Sequence, residues 1–298
     1  IQVRDQIKSG KFQGPRLIAS GCGITVPEGH ARLFAKKATT PEEGRALVHE
    51  HFSNGADQIK LFITGGVFDA EVEGEPGVLR MPLDIAQAVC DEAHKLGLRT
   101  SAHIESTEGV EVGLKAGVDT IEHGAPLTDE LLKLFKKNGL GNASSLTCTL
   151  SPALPFAVLS PEKTHSTHVQ KVNGRVVYEG VATATRQALA NGIPVGLGTD
   201  SACPFVTHYD MWREVVYFQR HTGVTSEFAL HTATLKNAQL LGVANETGSI
   251  ETGKSADLIV LDANPLDDLC ALRNVEQVYM AGKPVKYKAK YLPKIDAE

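Results

Sequence analysis

No run of 18 or more apolar residues occurs in this chain of 298 residues, so no segment has the length of a membrane-spanning helix. The opening stretch, IQVRDQIKSGKF, lacks an apolar core followed by a small-residue cleavage site, so no signal peptide is visible. Basic clusters are missing as well. The 30 Lys and Arg are outnumbered by 35 Asp and Glu, and the net charge of −5 leaves no face to neutralise phosphates, which argues against nucleic acid as a partner. The five cysteines, Cys22, Cys90, Cys148, Cys203 and Cys270, are odd in number and far apart, a pattern of reduced thiols rather than a disulfide framework or zinc knuckle. These absences point to a soluble, cytoplasmic protein. Repeats of short period and low-complexity tracts are also lacking, and 42% hydrophobic with 22% charged content is enough to bury a large core.

The ordered alternation of segments carries the fold. A strand is expected over Arg16–Ser20, then a helix in TPEEGRALVHEHFSNG, which opens on Thr-Pro with glutamates in its first turn and closes at Gly55. Strand 59–63, helix 82–96, strand 98–102, helix 107–116, strand 118–122, helix 127–138 and strand 140–147 follow. After a proline-containing stretch come helix 176–190, strand 193–198 and helices near 209–221 and 225–240. Strands alternating with helices of this length give right-handed βα units and a parallel sheet. Beyond Gly242 the pattern changes: GSIETGKSADLIVLDANPL and VEQVYMAGKPV read as short strands with glycine turns and no helix between them. The expected division is therefore an α/β barrel over 1–242 and part of a small β-domain over 243–298.

Four residues close apolar runs in turn: Lys60 in DQIKLFITGG, His103 in RTSAHIES, His123 in VDTIEHG and Asp200 in IPVGLGTDS. In a parallel α/β barrel the carboxyl ends of the strands share one face, where ligands and catalytic groups collect. Two imidazoles, a carboxylate and a lysine on that face are the parts of a metal site, since neutral imidazole and carboxylate are common zinc ligands. A lysine ammonium cannot ligate, but burial in an apolar strand lowers its pKa and frees the amine. His30 in PEGHA and His208 in SACPFVTHYD are candidates for substrate contact. Gly65-Gly66 fits a backbone close to substrate or a plain turn, and the acidic run DAEVEGEPG is expected as an exposed loop over the barrel mouth.

Several segments together carry a family resemblance: GPRLIASG, GADQIKLFITGG, DEAHKLGLRTSAHI, AGVDTIEHG, GIPVGLGTDS, HTATLKNAQLLGV and GSIETGKSADLIVLDANPL. In this order they resemble the amidohydrolase superfamily, and within it the prolidase-like and imidazolonepropionase-like branch. The resemblance implies a TIM-like (β/α)8 barrel, represented here by strands 3 to 8, with a C-terminal portion of a small β-sandwich. It implies that Lys60 becomes a carbamate by addition of CO2 and bridges zinc or a similar divalent metal, that His103 and His123 ligate, and that Asp200 both ligates and shuttles the proton. It further implies a hydrolase of peptide or amide C–N bonds acting through metal-activated hydroxide on a dipeptide or other small molecule, and allows a homo-oligomer. A cyclic-imide hydrolase or deaminase with one metal, and a catalytically inactive fragment, are the alternatives.

The family's first-strand His-x-His pair has no counterpart at a strand end here. The one local sequence of that form, His49-Glu50-His51, falls inside a helix, where i and i+2 side chains point to different sides. The expectation is that the natural protein is longer. The common histidine-proline sequence after the fifth-strand histidine is replaced by HIESTEG, and no residue stands out to receive a substrate carboxylate; Arg80, Arg186 and Arg213 qualify by type.

Overall fold

The computed structural model describes residues 1–135 and 144–285. After helix α1 (Gln2–Lys8), short strands β1 (Ile24–Thr25) and β2 (Lys36–Lys37) precede α2 (Pro41–Ser53) and β3 (Gln58–Phe62). Then follow α3 (Leu83–Lys95), β4 (Arg99–Ile104), α4 (Thr107–Ala116), β5 (Thr120–His123), α5 (Asp129–Leu134) and β6 (Ser145–Cys148). Helices α6 (Leu154–Val158), α7 (Pro161–Thr164) and α8 (His168–Ala190) lead to β7 (Val195–Leu197). Helices α9 (Met211–Thr222), α10 (Ser226–His231) and α11 (Asn237–Leu240) complete the α/β part, with a π turn over Thr232–Lys236. Strands β1 to β7 form one sheet in the order β2-β1-β3-β4-β5-β6-β7, and every pairing is parallel. This is the parallel sheet of an α/β TIM-like barrel with its helices outside. Strands β8 (Leu258–Leu261), β9 (Val275–Met280) and β10 (Lys283–Pro284) form a separate antiparallel sheet.

Local sequence explains the helix ends. Thr40, Ser106, Thr128 and Thr225 each accept a backbone N–H in the first turn of the helix they precede. Gly117 and Gly223 close α4 and α9 in the left-handed conformation. Strand alternation then builds the core: Ile59, Leu61, Ile63, Ala102, Ile104 and Ile121 are fully buried. Gly109 and Gly113 of α4 lie on the strands so closely that a Cβ on Gly113 would come within 2.6 Å of Ile104 Cδ1.

Four expectations need correction. Arg16–Ser20 is no strand: Ala19 instead donates to the Asp57 side chain at 2.8 Å and accepts from the Asp57 amide at 2.8 Å, and pairing starts only at Ile24. Helix 176–190 begins earlier, at His168, because Thr167 and Gln170 form a reciprocal capping box. The helix expected over 225–240 is interrupted by the π turn, where Asn237 is stapled to Leu197 N and O at 2.9 Å each. A 3₁₀ helix, Leu269–Arg273, lies between β8 and β9, where none was expected. The end of the expected helix 127–138 and the start of the expected strand 140–147 fall outside the described residues. Among the described residues, no helix is long and apolar enough to cross a membrane.

Candidate metal centre

The two-residue period of a strand sends alternate side chains to opposite faces. In β3, Ile59, Leu61 and Ile63 pack under the helices, so Lys60 and Phe62 face the barrel interior. The Lys60 Nζ lies 5.7 Å from the Phe62 ring centroid. Burial pushes the Lys60 ammonium pKa down, opposed by the charges of Glu122 and Asp200. In β4, Ala102 and Ile104 face the helices, which leaves Ser101, His103 and, just past the strand end, Glu105 on the interior side.

β5 departs from this rule. Ile121 is fully buried and sits within reach of Gly113, so Glu122 faces inward and His123 should follow Ile121 toward the helices. The backbone prevents this, because His123 takes φ +71 and Gly124 takes φ +84. Two consecutive left-handed residues re-aim the imidazole at the site, at a cost of about 1–3 kcal/mol for the non-glycine residue. The ring is then held by Thr149, whose Oγ1 lies 2.6 Å from His123 Nδ1.

The result is a stack of three imidazoles. His30 lies parallel to His103 with centroids 4.2 Å apart, and His103 meets His123 edge-on at 4.7 Å. His30 Nδ1 lies 2.6 Å from Asp69 Oδ1, and His103 Nε2 donates to Gly65 O at 3.0 Å. Ligand atoms of His103, Glu105 and His123 fall within 4.8 Å of one another, a grouping that could hold a metal ion. Burial, then the positive charges of His123, His30 and Lys60, push the His103 pKa well down. Burial, opposed by Asp200, takes His123 to about 4. Both rings are therefore neutral near pH 7 and carry lone pairs. Glu105 is pushed up to about 8 by burial and then by the Asp69 charge. Its Oε2 is buried and has no hydrogen-bond partner. Such an atom is costly when left alone, and a cation satisfies it. Two neutral imidazoles and a buried carboxyl that a bound cation would hold ionised are a donor set that fits a divalent metal.

Gly66 forms the floor of this cradle. A Cβ there would lie 3.1 Å from His30 Cε1, 3.2 Å from His103 Nε2 and 3.3 Å from Glu105 Oε2.

Of the residues expected at the site, the structure brings His103, His123 and His30 into ring contact and puts Lys60 on the same interior side of the sheet. Asp200, at φ +51 on the loop after β7, is exposed and accepts from the Cys203 thiol at 3.2 Å. It influences Lys60 and His123 by charge but is not among the three clustered ligands. His208 is exposed on the same loop and shares none of the contacts that join the others. Arg186 donates to His221 O, Arg213 pairs with Asp210, and Arg80 has a buried Nε without a partner.

Sequence reading missed Glu105 and Glu122. The signal was present: Glu105 stands two residues after His103 and Glu122 two after Thr120, so each inherits the inward face of its strand.

The sequence model of the amidohydrolase family matches residues 2–285. Among solved structures, a candidate prolidase from Bifidobacterium longum superposes with a TM-score of 0.88 at 43% identity, covering 97% of this chain and 72% of that one. A Xaa-Pro dipeptidase with methionine bound in its active site superposes with a TM-score of 0.82 at 30% identity, covering 96% and 72%. Ochratoxinase of Aspergillus niger is 25% identical over 96% of this chain, which spans 63% of that relative's length.

Proposed function

The chain belongs to the amidohydrolase family, and from that premise we propose that it hydrolyses a peptide or amide C–N bond with a divalent metal as cofactor and a dipeptide as substrate. One observation carries this reading: ligand atoms of His103, Glu105 and His123 meet within 4.8 Å, around a carboxylate oxygen that nothing in the protein satisfies. The similarity to prolidases supports the dipeptide as substrate class.

His103, His123 and Glu105 would hold the ion, with Lys60 contributing as a carbamate and Asp200 facing it from the loop after β7. A bound divalent ion supplies Lewis acidity, polarising the scissile carbonyl and lowering the pKa of water from ~15.7 toward ~7. The chain's own groups do the rest. Lys60 is suited to carbamate formation because burial favours its neutral amine, which adds CO2 and releases a proton. Asp200 takes the proton of the attacking water and passes it to the leaving amine. The Thr149 hydroxyl fixes the His123 ring, and Asp69 fixes His30, which contacts the substrate at the edge of the stack. His208 is a second substrate contact, reaching the site from its exposed loop.

The test is metal analysis of the purified protein by plasma mass spectrometry together with a dipeptide hydrolysis assay. One or two tightly bound ions and release of amino acids are expected. A protein that binds no divalent ion at micromolar concentration refutes the reading; one ion with turnover of a cyclic imide instead of dipeptides replaces it with the one-metal alternative.

A further inference from the structure

Three segments leave the carboxyl ends of strands β3, β6 and β7 around the candidate metal centre, and each carries polar groups of the site and leads to a phenylalanine, Phe156 lying on α6. The loop after β3 holds Gly65, whose carbonyl accepts from His103, and Asp69, which holds His30; Phe68 lies between them. The loop after β6 holds Thr149, the partner of His123, and leads to Phe156. The loop after β7 holds Asp200 and then Phe205. The three rings touch: Phe68 meets Phe156 edge-on at 5.2 Å, and Phe156 meets Phe205 edge-on at 5.9 Å. Phe156 is 3% exposed, whereas Phe68 is 42% and Phe205 47% exposed. Two large apolar rings are thus presented at the rim of a polar centre, standing on a buried third.

The arrangement is held in place. Asn173 of α8, fully buried, donates to Val72 O at 2.9 Å and accepts from Gly74 N at 2.7 Å, which fastens the loop carrying Phe68 to the helix. The next residue, Gly174, has no side chain where Phe156 rests, and a Cβ there would collide with the Phe156 Cβ. Phe205 takes φ +69 and Ala202 φ +82, conformations that bulky or β-carbon-bearing residues rarely adopt. Strain of this kind persists only where the surroundings enforce it, and it clusters at ligand clamps.

We infer that Phe68, Phe156 and Phe205 form an apolar subsite continuous with the metal centre, which receives an aromatic or branched aliphatic side chain on a residue flanking the scissile amide. The inference rests on the hydrolase reading above and names its substrate class. Edge-to-face packing on Phe68 and Phe205 suits an aromatic guest, and the floor given by Phe156 is already ordered, so little entropy is lost on binding.

The test uses the metal-loaded protein and dipeptides that differ only in one side chain, with Gly, Ala, Leu or Phe on either side of the amide. The wild type is expected to favour Phe or Leu over Gly by tenfold or more in kcat/KM at one of the two positions. Phe205→Ala and Phe68→Ala are each expected to lower that ratio by on the order of tenfold, through a rise in KM for the Phe and Leu substrates. Binding of N-acetyl-phenylalanine amide against N-acetyl-glycine amide, by calorimetry, gives the same comparison without turnover. Hydrolysis with a side-chain preference that survives both substitutions overturns the subsite and leaves the hydrolase standing. Selective binding of the phenylalanine probe without any amide hydrolysis supports the subsite and overturns the hydrolase reading. Equal binding of the two amides overturns the subsite.

Discussion

Replacing Gly66 by alanine separates the fold from the metal centre. Gly66 does not occupy the left-handed region, so alanine is compatible with its backbone. The added Cβ would stand 3.1 Å from His30 Cε1, 3.2 Å from His103 Nε2 and 3.3 Å from Glu105 Oε2. Ordinary van der Waals contact would require each neighbour to retreat by a few tenths of an ångström. Folding tolerates that. The crowding is partly offset by the reduced entropy of the unfolded chain, about 0.4–1 kcal/mol for a compatible glycine-to-alanine change, so stability should move by less than about 1 kcal/mol. Coordination does not tolerate it, because metal–ligand distances hold to within about 0.2 Å. The added Cβ crowds two of the three clustered ligands, His103 and Glu105, by an amount comparable to that tolerance, so affinity should fall about tenfold, or about 1.4 kcal/mol. Urea denaturation reads the first quantity and competition with a chelating zinc indicator reads the second. Unchanged zinc affinity in a normally folded Gly66→Ala protein would refute the assignment of this cradle as the metal site.

Asp200→Asn should lower turnover by about 10²–10⁴-fold while leaving at least one metal bound, since it removes the proton acceptor and spares the three clustered ligands; near-normal turnover would exclude the proton-shuttle role. Buried Glu214 accepts from Leu150 N at 2.7 Å and from Ser151 N and Oγ at 2.9 and 2.6 Å, and burial pushes its pKa up to about 7. Cys148, Tyr178 and Tyr217 are the titratable groups that feel it. The folded state therefore binds this proton more tightly than the unfolded one. The stabilisation is fully present below about pH 4.5 and is lost as pH rises through about 7, in total about 3 kcal/mol. Measured against Glu214→Gln in urea, the wild type should lose that amount between pH 4.5 and 8; a pH-independent difference would be inconsistent with the raised pKa.

The sequence made the scaffold and part of the site legible for definite reasons. Thr40-Pro41, Ser106 and Gly117 are local signals, read by the backbone within one turn, and the helices they bound fall within a residue or two of where they were expected. The start of α8 was legible too, since Thr167 and Gln170 stand at capping-box spacing, although the proline-containing stretch ahead of them masked it. His103 could be placed from its strand alone. Glu105 was equally determined by the period of two, but a residue beyond the strand end does not display its periodicity.

What the amino-acid sequence determined by itself was the alternation of strand and helix, the switch to short strands with glycine turns near the C-terminus, and the strands that carry Lys60, His103 and His123, although Lys60 lies at the middle of β3 and not at its end. What only the tertiary structure decided was direction and company. His123 points into the centre with φ +71, a conformation local preference opposes, and its ring is held there by Thr149 of the neighbouring strand's loop. His30, 73 residues from His103, stacks on it and is held by Asp69, and Phe68 after β3 meets Phe156 after β6 although those two strands are not neighbours in the sheet. A single sequence records the preferences of neighbours along the chain; contacts between distant loops, and strain enforced against those preferences, exist only once the barrel has brought its strand ends together.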